Sequence, residues 1–233
     1  MHEITAVYCG TRKLYEPMVP AVKSLLINSN VQRVYLLIED DVFPYWLPDC
    51  VETRNVASQA YFKPDGPNYK TLFTYMTLMR MALTKEFPEL DMVLSLDVDT
   101  IVRHNISGLW DTDMRDCYFA GVTDRYQPDK SYPYINAGVM LINLKKLRED
   151  GKDDEIINAL NTRWFRWNEQ DCLNELCKGQ ILRLPGEYNA SKCTTLAVFP
   201  KISHYASQID WRYDPIYRFY DEIPWEKVLE GRT

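Results

Sequence analysis

Apolar and polar positions along the chain switch between a period of two and a period near 3.6, and the switching predicts alternating strands and helices. ITAVYC reads as a first strand. In YEPMVPAVKSLLINS, Val19, Val22, Leu25 and Leu26 recur at helical spacing. Pro17 and Pro20 suit the first turn of that helix, where a missing N–H costs little, and would be costly deeper in. RVYLLI is a second strand, VETRNV a third, and KPDGPNY a loop punctuated by Pro64, Gly66 and Pro67. TLFTYMTLMRMALTKEF predicts one long amphipathic helix closed by Pro88, and MVLSL the next strand. CYFAGVT and GVMLINL are further strands, and one charged helix runs through LKKLREDGKDDEIINALN. EQDCLNELCKG is a short helix with Gly179 as its C′ residue, and ILRL and KISHY are short and extended. Strands alternating with helices predict an α/β fold with a largely parallel sheet. No repeat or linker divides the chain, so residues 1–233 are expected to form a single domain with a looser C-terminal tail.

Composition narrows the function classes. The 233 residues are 46% apolar, enough for a sizeable core. The net charge of −6 and the lack of a Lys/Arg cluster argue against nucleic acid as a partner, and a phosphate-bearing ligand would need a cation to offset repulsion. The 16 tyrosines suit a stacking or sugar-binding cleft as well as an ordinary surface. The six cysteines form no C-x-x-C pair and read as free thiols of a reducing compartment. No apolar run approaches transmembrane length and the N-terminus lacks a secretory pattern, so the expected location is cytoplasmic. The sequons at Asn105 and Asn189 then carry no weight.

Candidate chemistry centres on VLSLDVDTIV. In an extended segment Asp97 and Asp99 would share a side, opposite Val98, at the carboxyl end of a strand, where open α/β sheets bind ligands. Two neighbouring carboxylates repel unless a cation joins them, and Mg²⁺ or Mn²⁺ prefers such oxygen ligands. An Asp-rich turn accounts for the same letters. So does the D-x-D-x-T of haloacid-dehalogenase-type phosphatases, with Asp97 as nucleophile and Asp99 as acid/base; the later acidic pair such enzymes need would fall on Asp153-Asp154, in a charged helical stretch, which makes this the second reading. Asn136, Ala137 and Gly138 allow close approach of a backbone or ligand, or form a plain turn into a strand. Glu169, Gln170 and Asp171 stand at a helix start, where Asn168 serves as N-cap; they either complement the helix dipole or aim at a cleft. His204 is a surface or core residue, or the imidazole that completes a D-x-D metal site.

Taken in order, VLSLDVDTIV, LWDTDM, YINAGVMLINLKKLRE, NEQDCLNEL and ISHY resemble glycosyltransferase family 8, the retaining family of glycogenin and the lipopolysaccharide galactosyltransferases. The similarity runs from about Thr71 to Trp211, with a weaker match in ITAVYCGTRKLY. It implies a GT-A fold: a Rossmann-like nucleotide half over about residues 1–100, a donor-sugar and acceptor half over about 101–215, and a tail at 216–233. It implies transfer of a hexose, glucose or galactose, from a UDP-sugar, with retention and with Mn²⁺ or Mg²⁺ as cofactor. The acceptor would be a carbohydrate, glycolipid or protein, and a homodimer is compatible with the family.

The resemblance also carries over residue by residue. Asp97, Asp99 and His204 match the metal ligands, with Val98 between the acids in the donor site. Arg80, Asn136, Ala137 and Gly138 match donor-sugar contacts, Tyr8, Cys9, Gly10 and Thr11 would border the uridine, and Glu169, Gln170 and Asp171 match the segment beside the anomeric carbon. Two stretches depart from the family. CGTRK replaces the first-strand acid pair, and HYASQIDW lacks the diphosphate-gripping Lys that usually follows the His, leaving Arg12, Lys201 and Arg212 as replacement candidates.

Overall fold

Seven strands form the central sheet and two more form a small ladder beside it. The structure, a computed structural model, describes residues 4–127 and 131–230. The strands are β1 (Ile4–Cys9), β2 (Val31–Ile38), β3 (Val51–Asn55), β4 (Met92–Leu96), β5 (Thr100–Val102), β6 (Phe119–Thr123), β7 (Ile135–Asn143), β8 (Ile181–Arg183) and β9 (Ile202–His204). The α-helices are α1 (Tyr15–Asn28), α2 (Tyr75–Leu78), α3 (Leu83–Glu86), α4 (Leu144–Glu149), α5 (Lys152–Thr162), α6 (Asn168–Leu176), α7 (Pro215–Glu222) and α8 (Trp225–Leu229).

The sheet order is β3-β2-β1-β4-β7-β6-β8. β3, β2, β1 and β4 are parallel, β7 is antiparallel to both its neighbours, and β8 is parallel to β6. The carboxyl ends of β1, β4 and β6 and the start of β7 therefore meet at one edge, where an open α/β sheet presents its ligand crevice.

Both faces are covered, which is why the strands read as near-continuous apolar runs. Ala6, Tyr8, Leu36 and Leu94 face a core shared with α1, whereas Val7, Leu37 and Val93 face a second core holding Met76, Phe87 and Leu173. Tyr8 is fully buried in the first core, with its hydroxyl 3.4 Å from the Ala21 carbonyl.

Several helices differ from expectation. The predicted long helix over Thr71–Phe87 is α2, a 3₁₀ segment at Met79–Ala82, and α3. It starts only at Tyr75 because Thr71 Oγ1 accepts the Phe73 N–H (3.1 Å) and pairs with Asn168, holding 71–73 outside the helix. The predicted charged helix is split into α4 and α5 at Gly151, whose φ of +64° ends one helix and starts the next. Gly179 has the left-handed φ expected of a turn residue but lies beyond the Cys177 cap of α6 rather than at C′. Pro20 sits inside α1 instead of its first turn.

The expected loose tail is instead α7 and α8 packed on α1. Buried Lys23 of α1 donates to the Asp221 (2.9 Å) and Ile223 (2.7 Å) carbonyls at the end of α7, satisfying acceptors that the helix itself leaves open.

Candidate active site

The D-x-D lies in a tight turn rather than in extended chain. β4 ends at Leu96, the Asp97 N–H donates to the Gly138 carbonyl (2.8 Å), and Thr100 returns its N–H and hydroxyl to the Asp97 carbonyl (3.2 and 2.6 Å). Val98 borders the cavity, and its side chain is buried in the core shared with α1. Pairing of β5 with β9 sets Thr100 opposite His204, and the Tyr205 N–H donates to the Asp99 carbonyl (2.9 Å). An imidazole over 100 residues further along the chain is thus delivered to the acid pair. His204 Nε2 lies 3.6 Å from Asp97 Oδ2 and 3.3 Å from Asp99 Oδ1. One ligand atom from each residue falls within 4.8 Å of the others. Two carboxylates and an imidazole are a donor set suited to a divalent cation such as Mn²⁺ or Mg²⁺.

Neighbours fix this geometry. A Cβ on Gly138 would stand 2.1 Å from His204 Cε1 and 2.8 Å from Asp97 Oδ2, so only glycine lets β7 pass so close. His204 Nδ1 pairs with Asn189 Oδ1 (2.8 Å) and directs Nε2 at the carboxylates. Asn189 Nδ2 donates to Asn136 Oδ1 (2.9 Å), which also accepts the Gly138 N–H (3.0 Å). Asn136, Ala137 and Gly138 belong to β7 itself and not to a loop before it.

Arg80 is buried between two acids. Its guanidinium lies 2.9 Å from Asp97 Oδ1 and 3.1 Å from Glu169 Oε1, and donates to the Ala137 carbonyl (2.6 Å). Gln170 Oε1 accepts from the Ala137 N–H (2.9 Å) and Asn136 Nδ2 (3.2 Å). Asp171 turns away: it is hydrogen-bonded by the Tyr134 hydroxyl and accepts the Trp167 N–H (2.9 Å) at the helix start. Asn168 does not cap α6; with a φ of +41°, its side chain donates to Thr71 Oγ1 (3.0 Å) and the Asn68 carbonyl (3.3 Å).

These groups line a cavity of about 550 Å³. Its wall includes Cys9, Arg80, Asp97, Val98, Asp99, Asn136, Ala137, Gly138, Glu169, Gln170 and His204; Tyr8, Gly10, Thr11 and Asp171 do not reach it. The three candidate replacements for the family's Lys are off the wall and otherwise engaged. Arg12 forks onto Asp40 (2.7 and 2.6 Å), Lys201 pairs with Glu187 (3.1 Å), and Arg212 faces Glu16 (3.8 Å). Asp153 and Asp154 are also off the wall, on Lys85 (2.9 and 2.8 Å), so the acidic pair of the phosphatase reading is not part of this site.

Sequence reasoning missed Asp124, Arg125, Trp167 and Asn189. Asp124 accepts from Asn136 Nδ2 (2.9 Å) and lines the cavity. It directly follows β6 as Asp97 directly follows β4, and that shared placement was the available signal. Asn189 read only as a sequon, yet it is fully buried behind His204. Arg125 is an exposed cation on the wall, with Nε on the Thr194 carbonyl (2.8 Å).

The electrostatics suit cation capture. Burial raises the Asp97 pKa, opposed by Arg80. Burial also pushes Asp99 up, but the charge and hydrogen bond of His204 outweigh it and hold the carboxyl below its ordinary value. For His204 burial acts downward, yet Asp99 and Asp97 together raise the imidazole. Burial lifts Glu169 against the pull of Arg80. The Cys9 thiol is pushed up to about 12 by burial, which makes it a poor nucleophile near neutrality.

A mixed sheet with a strand-end acid pair, a distant histidine and a crevice at the carboxyl edge is a GT-A fold. The profile of glycosyl transferase family 8 matches residues 22–206, and the chain belongs to that family. It is 30% identical over 139 residues to a putative glycosyltransferase of Haemophilus influenzae, covering 54% of this chain and 41% of that one. It is 26% identical over 196 residues to glycosyltransferase GlyE of Streptococcus pneumoniae, covering 78% and 47%. It is 29% identical over 113 residues to the lipopolysaccharide 1,2-glucosyltransferase of Escherichia coli K12, covering 43% and 33%. The chain thus spans under half the length of these curated relatives. Among solved structures, the galactosyltransferase LgtC superposes with a TM-score of 0.72 at 20% identity, covering 99% of this chain and 100% of that one. The fold alone follows from that likeness.

Proposed function

We propose that this protein is a metal-dependent retaining glycosyltransferase that moves a hexose from a UDP-sugar to a hydroxyl acceptor. The observation that carries this reading is the convergence of Asp97, Asp99 and His204 at 3.3 and 3.6 Å on one wall of a cavity large enough for a nucleotide sugar. A divalent cation held by these three would supply the positive charge that a departing diphosphate needs. Val98 and Cys9 would flank the nucleotide.

The chain's own groups would do the rest. Arg80 holds Asp97 and Glu169 in place and keeps their mutual repulsion affordable. Asn136, Ala137 and Gly138, whose amide and backbone groups are held by Asp124, Gln170, Asn189 and Arg80, would form the wall against which the donor sugar lies. Gln170 would stand beside the anomeric carbon, its Oε1 held by the Ala137 N–H and Asn136 Nδ2, with Glu169 held on Arg80. Asp171 would act at one remove, by holding Tyr134 and the helix start.

Release of UDP from UDP-glucose and UDP-galactose, assayed with Mn²⁺, with Mg²⁺ and with a chelator, tests the proposal. Turnover of at least one donor that needs the metal is expected. Metal-independent turnover, or sugar binding with no turnover of either donor, would contradict it.

A further inference from the structure

A chain of buried amides joins the cavity wall to the metal-ligand triad. Asn136, Asn189 and His204 are all buried. Asn136 Nδ2 donates to Asp124 Oδ2 (2.9 Å) and to Gln170 Oε1 (3.2 Å). Asn136 Oδ1 accepts the Gly138 N–H (3.0 Å) and Asn189 Nδ2 (2.9 Å). Asn189 Oδ1 then meets His204 Nδ1 at 2.8 Å.

The direction of this chain is fixed at the end away from the histidine. An ionised carboxylate only accepts and a backbone N–H only donates. Turning the Asn136 amide over would set its oxygen against Asp124 Oδ2 and Gln170 Oε1, and its NH₂ against the Gly138 N–H. Gln170 cannot turn to relieve this, because its Oε1 also accepts the Ala137 N–H (2.9 Å) and its Nε2 faces Asp124 Oδ2 (3.4 Å). With Asn136 fixed, turning Asn189 over would bring two amide oxygens face to face in the interior, where polar groups are almost always paired. Asn189 therefore presents an acceptor to the ring, and His204 Nδ1 carries a hydrogen.

The consequence falls on the other ring nitrogen. His204 Nε2 stands 3.6 Å from Asp97 Oδ2 and 3.3 Å from Asp99 Oδ1. With the hydrogen held on Nδ1, a neutral ring turns its lone pair toward two carboxylates, and acceptors facing acceptors call for a cation among them. The other neutral tautomer would donate from Nε2 to Asp99 and fill the ligand position with no cation present. The amide chain removes that state.

We propose that Asn189 is a positioning residue that locks His204 as the Nδ1–H tautomer and so keeps Nε2 open as a metal ligand, with Asp124 and the Gly138 N–H setting the direction of the lock through Asn136. This rests on the metal centre of the glycosyltransferase reading. A histidine ligand whose second nitrogen is held by a partner is oriented and restricted to one tautomer, and loss of the partner weakens the metal by about 10–100-fold.

Nitrogen-15 NMR of the intact, metal-free protein at alkaline pH, where the ring is neutral, reports which nitrogen bears the hydrogen. The chain has only three histidines, and the signals lost in His204→Gln identify the ring. Wild-type His204 should carry its hydrogen on Nδ1. Asn189→Ala should move hydrogen onto Nε2 and bind Mn²⁺ about tenfold or more weakly in calorimetry with UDP present. Asn189→Asp keeps an acceptor toward Nδ1–H, so it should hold the tautomer and retain more Mn²⁺ affinity than Asn189→Ala. Its melting temperature should fall, because its second oxygen faces Asn136 Oδ1. A wild-type ring with its hydrogen on Nε2 would overturn the proposal without recourse to any variant. So would a folded Asn189→Ala that has the wild-type tautomer or the wild-type Mn²⁺ affinity; a residue that only supports the fold would lower the melting temperature and move neither. Wild-type protein that binds no Mn²⁺ with UDP sinks the metal centre itself, whereas wild-type binding that Asn189→Ala fully retains sinks only the lock.

Discussion

His204 illustrates how one side chain acquires a function from its surroundings. Its Nδ1 is committed to Asn189, its Nε2 faces two carboxylates, and it is 3% exposed. The acids raise its pKa above the ordinary 6.5. In the metal-free protein the protonated ring therefore stabilises the fold fully below that ordinary value, and the contribution is lost as pH rises through the raised one. A cation at the triad must displace the same proton, so metal affinity runs the opposite way and grows with pH across that window. Asp97, also raised by burial, adds in the same sense, and Asp99, held low, stays ionised throughout. Mn²⁺ titrations between about pH 6 and about pH 8 should show affinity rising several-fold or more. Affinity independent of pH over that range would exclude the imidazole from the metal site.

Elements, and not residues alone, set the site. β7 passes His204 so closely that Gly138 has no space for a side chain. Gly138→Ala should cost about 1–3 kcal/mol in chemical denaturation and weaken Mn²⁺ binding, because the ring or the strand must shift. Wild-type stability together with wild-type metal affinity would show that the close approach is not required. The strands were legible in the sequence because burial on both faces makes them continuous apolar runs. The helix over Thr71–Phe87 was misread because the Thr71–Asn168 contact spans 97 residues and leaves no local trace. Asp97 and Asp99 were found through their strand, but the turn that follows it depends on hydrogen bonds to β7 and within the turn. Asn189 was passed over because its partners are Asn136 and His204, each remote or separated by a turn of chain.

Over the whole molecule, α1 links the β1–β2 side of the sheet to the C-terminal helices. Its buried Lys23 reaches the last carbonyls of α7, and Asn28 donates to the Tyr220 hydroxyl (2.8 Å). Lys23→Ala leaves those carbonyls unpaired and should destabilise the protein by about 1–3 kcal/mol by thermal or chemical unfolding, with UDP binding retained. An unchanged unfolding midpoint would mean that α7 and α8 contribute nothing to the fold through this contact. No described helix is long and apolar enough to cross a membrane. The acidic cavity and the crossing of β9 past the D-x-D turn both lie at the carboxyl edge of the sheet, so one edge gathers the candidate chemistry.

The most direct measurement is calorimetric titration of UDP into the wild-type protein and Asp99→Asn, each with and without Mn²⁺. Wild-type protein should bind UDP about tenfold or more tightly with Mn²⁺ than without it, and Asp99→Asn should lose that gain while keeping its fold by circular dichroism. UDP affinity indifferent to Mn²⁺ in the wild type, or a metal effect undiminished in Asp99→Asn, would contradict the assignment of Asp97, Asp99 and His204 as a metal centre.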